Sequence, residues 1–375
     1  MSLCLAGMGW VTPLGRGIDT VWGRLLRGDQ ATAETISDPV SNKTYNAFKV
    51  PIDALKDVSP HPRLRRASAI SRFAVAAGLD AITQARSTID EIEPDRMALV
   101  FAVSNGGVVY TKRFYHDLVE SGAQSVSPLL FPETVFNAPA SHLAAILGIA
   151  GASYTLVGDG AVGLLAIKMA ADLLENDALD ACLVVGAEEA DWLLCDAYHK
   201  WRLLKKEPPI ELFHDAPRGM ILSEGAGAVL LAREGTVRVD AIDAGGNFSR
   251  RAAANEIVRK ILHQLADKNA CVVASANGTF VDLAERAAIE KEMPGAVVYS
   301  PKCALGESVG ASAIWQTIVA AEALSTKQLP KTSHPGSDDV SWKRAIVLSC
   351  GLNQQAAGLR LRMDSRAPIV SGLSI

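Results

Sequence analysis

The hydrophobic positions of this chain fall into short, continuous apolar runs separated by stretches of helical spacing. Leu3–Met8, Met97–Val103, Ala181–Gly186, Gly225–Ala232, Ala270–Ala276 and Ala345–Ser349 are such runs. Apolar runs of that length read as strands buried on both faces. Between them, Asp19–Leu26, Ala67–Ala85, Phe136–Leu147, Ala161–Leu174, Glu256–Leu265 and Val309–Leu324 carry helical periodicity. In Ala67–Ala85 the apolar face includes Ile70, Phe73, Ala77 and Leu79; Phe136–Leu147 is rich in alanine and suited to close packing. Strands alternating with helices predict an α/β fold built on mostly parallel sheets with crossover helices.

The strand–helix units fill the first half and recur after about Glu224, the coarse pattern of a duplication. The expected division is residues 1–232 as one half, 233–363 as the second and 364–375 as a tail. Thr12-Pro13-Leu14-Gly15 is a turn, and Leu203–His214 is a polar, proline-containing surface loop. Ser325–Ser341 is another, with Lys327, Lys331, Asp338 and Asp339 between Pro330 and Pro335.

One junction stands out. Ser153–Val157 reads as a buried strand, Gly158-Asp159-Gly160 as a sharp turn of small residues, and Ala161 onward as a helix. This is the pattern of a nucleophile elbow, which presents one side chain at a helix N-terminus where the dipole favours an anion. The presented position is Gly160, which has no side chain.

Composition narrows the setting. The 375 residues are 49% hydrophobic and 21% charged, as in a well-buried globular chain of two or three domains or one large double one. A net charge of -4 and a pI of about 6.0 give no electrostatic footprint for nucleic acid. The short basic run Arg63-Leu64-Arg65-Arg66 precedes an apolar helix and reads as a solvated or interface face. The six cysteines form no CxxC pair, the usage of reduced thiols in a cytosolic protein. The N-terminus lacks a basic leader pattern, and no apolar run reaches the ~18 residues of a membrane span. A cytoplasmic location is expected.

Six segments taken together resemble the β-ketoacyl-acyl-carrier-protein synthases. They are Gly7-Met8-Gly9-Trp10-Val11-Thr12-Pro13-Leu14-Gly15; Ser127–Pro132 with Asn137 and Ala140; the elbow itself; Gly186-Ala187-Glu188-Glu189; Phe213-His214-Asp215 through Gly219; and Ser223-Glu224-Gly225-Ala226-Gly227. They occur in that family's order and span about Leu3 to Leu361. The resemblance implies a thiolase-like fold of two similar halves, layered α-β-α-β-α. It also implies that acyl groups arrive on the phosphopantetheine of an acyl carrier protein, with no other cofactor.

The same resemblance exposes the departures. The family's Cys falls at Gly160. Its first His falls in Ala276-Asn277-Gly278-Thr279, at Asn277, and its second in Lys302-Cys303-Ala304-Leu305-Gly306-Glu307, at Glu307. The family's gating Phe falls at Leu352, in Gly351-Leu352-Asn353-Gln354. Condensation needs a thiolate to accept the acyl group and neutral donors to stabilise an enolate. Gly160 cannot be acylated, Asn277 can still donate, and an ionised Glu307 would oppose developing negative charge. Asp159, Lys302, Leu352 and Asn353 are expected to line the site, with Asp159 or Glu307 pairing with Lys302. Asp215 and Glu224 resemble the family's structural carboxylates, which hold loops and backbone N–H groups. The resemblance places Ser127–Asn137 at a dimer interface, with Leu129, Leu130 and Phe131 reaching a partner's tunnel.

Other chemistry is weaker. Asp159 as a nucleophile would give a mixed anhydride, a poor carrier. Cys303 reads as a structural thiol rather than a displaced nucleophile. Cys195 and His199 have a metal-compatible spacing but no further ligands, so they read as a packed surface pair. His214 reads as a loop residue, and Phe136, Trp192 and Trp201 as core or interface aromatics.

Three functions follow. The first is a non-catalytic homologue of the chain-length-factor type, paired with an active ketosynthase and bounding its acyl tunnel in polyketide or fatty-acid-type assembly. The second is an acyltransferase or hydrolase rewired around Asp159, Asn277, Lys302 and Glu307. The third is a homodimeric acyl-binding scaffold.

Overall fold

The computed structural model describes residues 3–90, 92–330 and 342–363. Lys331, Pro335, Asp338 and Asp339 of the second loop, and the tail 364–375, lie outside the described residues.

Ten strands form the line of a large sheet: β1 Cys4–Thr12, β2 Met97–Val103, β3 Ser153–Val157, β4 Ala181–Glu188, β5 Gly225–Ala232, β6 Val237–Asn247, β7 Ala270–Val273, β8 Val298–Tyr299, β9 Arg344–Cys350 and β10 Gln355–Met363. The two-residue strand Gly15–Arg16 folds back on β1. The spatial order is β3-β2-β4-β5-β1-β6-β10-β9-β7-β8. Each half therefore has the same internal order, its third strand at the edge and its first at the centre.

Parallel pairing is confined to the outer strands of each half, β3-β2-β4 and β8-β7-β9. The pairs β4–β5, β5–β1, β1–β6, β6–β10 and β10–β9 are antiparallel. The thiolase-like α/β class holds, but the sheet is mixed rather than mostly parallel. β6 and β10 mix apolar and polar residues, as antiparallel strands do, and no element is expected from the sequence for either segment.

Two helices run through the middle of the molecule: α3 Val162–Leu173 and α7 Ser312–Thr326. They contact each other and strands of both halves. α1 Ala69–Ala85 and α2 Ala138–Leu147 cover the outer face of the first half; α5 Ala254–Leu265 and α6 Phe280–Glu292 cover that of the second. The remaining helix used below is α4, Trp192–Lys200. α7 is buried from Ser312 to Ala321, which explains its nearly uniform hydrophobicity.

β3 departs from expectation. It is the edge strand, and Tyr154 and Val157 are exposed rather than buried. An edge strand pairs on one side only, so half of its backbone groups stay available.

Candidate functional site

The site lies where the two halves meet at the N-terminus of α3. β3 delivers Gly158-Asp159-Gly160 to that end. The loop Gly351-Leu352-Asn353-Gln354, joining β9 to β10, folds over the same point.

The elbow is tight around Gly160. A Cβ built on Gly160 would stand 3.1 Å from the Cα of Gly351. The Gly160 carbonyl accepts the Ser349 hydroxyl at 2.8 Å, and Gly351 N donates to Gln355 O at 2.7 Å, so the loop is tied from both ends. The loop packs closely on the bare α-carbon.

Asp159 completes the closure. Its Oδ1 accepts the amide of Leu352 at 3.0 Å, and its Oδ2 accepts those of Asn353 at 2.8 Å and Gln354 at 3.1 Å. It therefore pairs with backbone, and the ion pair with Lys302 belongs to Glu307 alone. Gly351 must be glycine for this contact, because a Cβ there would meet Asp159 Oδ2 at 2.0 Å.

Asn277 and Glu307 face each other. Glu307 Oε2 accepts from Lys302 Nζ at 2.7 Å and from Asn277 Nδ2 at 2.6 Å. The Asn277 carbonyl oxygen accepts the Thr279 hydroxyl at 2.6 Å and the Thr279 amide at 3.2 Å. All four residues are buried. Chemically this is a mutually neutralising polar cluster, and the Asn277 amide donates inward to a carboxylate. A buried Lys–Glu pair is retained only when its remaining hydrogen bonds are met, and here Asn277 meets one of them.

The turn that carries Asn277 is set by a residue the sequence reading missed. Asp282 Oδ1 accepts the amides of Asn277 at 2.8 Å and Gly278 at 2.9 Å, and Oδ2 accepts that of Phe213 at 2.7 Å. Burial raises the Asp282 carboxyl above its usual range, while the three amides oppose that shift. Gly278 sits at φ 87°, the left-handed region, and a Cβ on it would meet Gly219 O at 2.4 Å. Thr279 caps α6 through its hydroxyl, which accepts Val281 N at 3.4 Å. A Thr cap followed by Asp282 in the first turn was the available signal.

The two expected structural carboxylates separate. Glu224 is buried, accepts the amides of Val50 and Ala190 at 3.2 Å each, and pairs with Lys49. Asp215 is a correction: its side chain is 89% exposed and pairs with Arg286 at 2.8 Å. It takes no loop amide, because Asp282 holds the Phe213 loop from inside. Glu188 and Glu189, at the end of β4, brace a further loop. Glu188 Oε2 accepts Ser104 N at 3.0 Å and Glu189 Oε1 accepts Val109 N at 3.1 Å. Burial pushes Glu188 up to about 8 and Glu189 to about 7.

The remaining candidates are placed apart from the elbow. Leu129 and Phe131 are 58% and 57% exposed, Leu130 is half-buried, and the Phe131 ring meets Phe114 at 5.8 Å. Cys303 is half-buried and its thiol donates to Ser300 O at 3.1 Å. Cys195 is buried in α4, while His199 packs edge-on against Tyr45 at 5.8 Å. Among the described residues no group of three His, Cys, Asp or Glu side chains is placed to hold a metal ion. Nor is any helix long and apolar enough to cross a membrane.

Fold and site thus define a class: a thiolase-like double α/β unit with a strand–turn–helix elbow whose turn residue, Gly160, has no side chain. The family model for Beta-ketoacyl synthase, N-terminal domain, matches residues 2–236, and the chain belongs to that family. Among curated relatives, the 3-oxoacyl-[acyl-carrier-protein] synthase 2 of Vibrio cholerae is 25% identical over half of this chain and 45% of its own length. That of a Staphylococcus aureus strain is 23% identical over 62% of this chain and 57% of its own. The chain spans about half the length of the curated relatives it matches. In solved structures, the fold is shared with a β-ketoacyl synthase from Burkholderia phymatum (TM-score 0.82, 18% identity, 96% of this chain and 99% of that one). It is shared equally with the ishigamide ketosynthase/chain length factor (TM-score 0.82, 19% identity, 96% and 98%). A complex of the ketosynthase ApeO with its chain length factor ApeC, from Xenorhabdus doucetiae, also matches (TM-score 0.78, 18% identity, 96% and 98%).

Proposed function

We propose that this chain is a non-catalytic ketosynthase homologue of the chain-length-factor type. It pairs with an active β-ketoacyl synthase and bounds the tunnel in which that subunit extends a carrier-bound acyl chain. The observation that carries this reading is at Gly160: the residue at the turn has no side chain to accept an acyl group, and even a Cβ there would stand 3.1 Å from the Cα of Gly351. The arrangement at Asn277 and Glu307 supports it, since the Asn277 amide and the Lys302 ammonium both donate to Glu307 Oε2.

A rewired enzyme is the weaker alternative. It needs a free nucleophile or base, and both oxygens of Asp159 already hold amides. Glu307 is neutralised by a buried lysine.

Pairing is supported by the apolar surface of the first half. β3 has one unpaired edge among the described residues and exposes Tyr154 and Val157; Leu129, Phe131 and Phe136 are exposed as well. An open sheet edge carrying exposed apolar side chains is a template for pairing with another chain. An acyl carrier protein would serve the active subunit. The test is co-expression with an intact ketosynthase and its carrier protein, followed by sizing and a turnover assay. A stable one-to-one complex, with acyl groups found covalently only on the partner and the carrier, is the expected result. Acyl groups bound to this chain during turnover would overturn it.

A further inference from the structure

We infer that the amides of Leu352, Asn353 and Gln354 form an anion site whose occupant is built into the chain. The Asp159 carboxylate fills it and latches the loop onto Gly160. This rests on the reading of the chain as a ketosynthase homologue, and it names how its site is closed.

Three consecutive amides converging on one carboxylate form an anion-binding concavity. Such a group at the mouth of an acyl site would ordinarily be open to a carboxylate or thioester oxygen from outside. Here the acceptor is tethered to the same turn as Gly160, so an external anion must compete with an intramolecular one. Asn353 and Gln354 are exposed, yet their amides are engaged at 2.8 and 3.1 Å.

The neighbouring glycines fit this arrangement as a set. Asp159 can lie against the loop only because Gly351 has no Cβ. The loop lies close on the elbow, where a Cβ on Gly160 would stand 3.1 Å from the Cα of Gly351. Restoring a sulfur atom at Gly160 without releasing Asp159 would bury it beneath the loop.

Two measurements on the full chain test this. Hydrogen exchange of the peptide spanning residues 351–355 reads the latch directly. Asp159→Asn should speed exchange of those amides at least about tenfold, the ratio that losing one hydrogen bond to a charged acceptor brings. Unchanged exchange overturns the latch. The second measurement is alkylation by iodoacetamide, located by peptide mass spectrometry. Gly160→Cys alone should react at least about tenfold more slowly than Asp159→Gly combined with Gly160→Cys, by the same loss of a charged hydrogen bond. Equal rates overturn the closure. The exchange experiment needs no cysteine variant, so a misfolded Gly160→Cys leaves it intact. Neither result depends on co-purification with a ketosynthase, so the latch and the pairing fail separately.

Discussion

Lys302 Nζ lies 2.7 Å from Glu307 Oε2, with both side chains only 2% exposed. Removing one member leaves an unpaired charge in the core. That costs about 3–5 kcal/mol, whereas replacing both by apolar groups is often near neutral. Lys302→Met should therefore lower stability by about that amount, and Lys302→Met with Glu307→Leu should recover part of it. Urea unfolding of the two variants and of Glu307→Leu closes the cycle. If the single and double variants lose stability additively, the two residues are not coupled as described.

Asp282 offers a separate test of how the site is built. It holds the turn at Asn277 and the loop at Phe213 with one buried carboxylate. Asn in its place keeps the shape but has one acceptor oxygen, so at least one amide is orphaned. Asp282→Asn should cost about 2–4 kcal/mol, the range for losing one or two hydrogen bonds to a charged group. Asp215→Asn, at an exposed ion pair, should change stability by less than about 0.5 kcal/mol. Similar losses in the two variants would contradict these assignments.

These two residues also show how far the sequence could be read. The elbow, the bare Gly160 and the Asn277, Lys302 and Glu307 positions were legible because each sits in a local motif. Asp215 was misplaced and Asp282 missed because which carboxylate reaches the Phe213 amide depends on how α6 packs against that loop. The strands were legible where both faces are buried, and β6 and β10 were not, because polar residues interrupt the apolar run in each. That β3 lies at an edge follows from strand order, which no run of apolar residues encodes. The latch was invisible for the same reason: Asp159 and Asn353 are 194 residues apart in sequence.

The buried acids fix the direction of the pH dependence. Burial raises Glu188 to about 8, and Glu189 and Glu285 to about 7, from an ordinary 4.5. Between those values the folded protein keeps protons that the unfolded chain has released, so stability falls as pH rises. The melting temperature should therefore decline from about pH 5 to about pH 8, and Glu188→Gln should flatten the upper part of that decline. Thermal scans across this range decide it. A profile that stays flat from pH 5 to pH 8 would mean that these acids ionise normally.

The last prediction concerns the surface. Phe131 is 57% exposed and Tyr154 is 44% exposed on the edge strand β3. Neither contributes to the buried core, so a charge at either position should leave the fold intact. At the centre of an apolar interface the same charge must be desolvated without a partner, which typically costs 2 kcal/mol or more at a hot-spot position. Phe131→Asp and Tyr154→Asp should each weaken association with an active ketosynthase at least about tenfold, since about 1.4 kcal/mol is tenfold in affinity. Their melting temperatures alone should stay within about 2 °C of the parent, as surface changes of less than about 0.5 kcal/mol imply. Analytical sizing of co-expressed pairs, with thermal scans of the isolated chain, measures both. Undiminished pairing in both variants would place the interface elsewhere. Unfolding of the isolated chain would mean that these side chains support the fold rather than a partner.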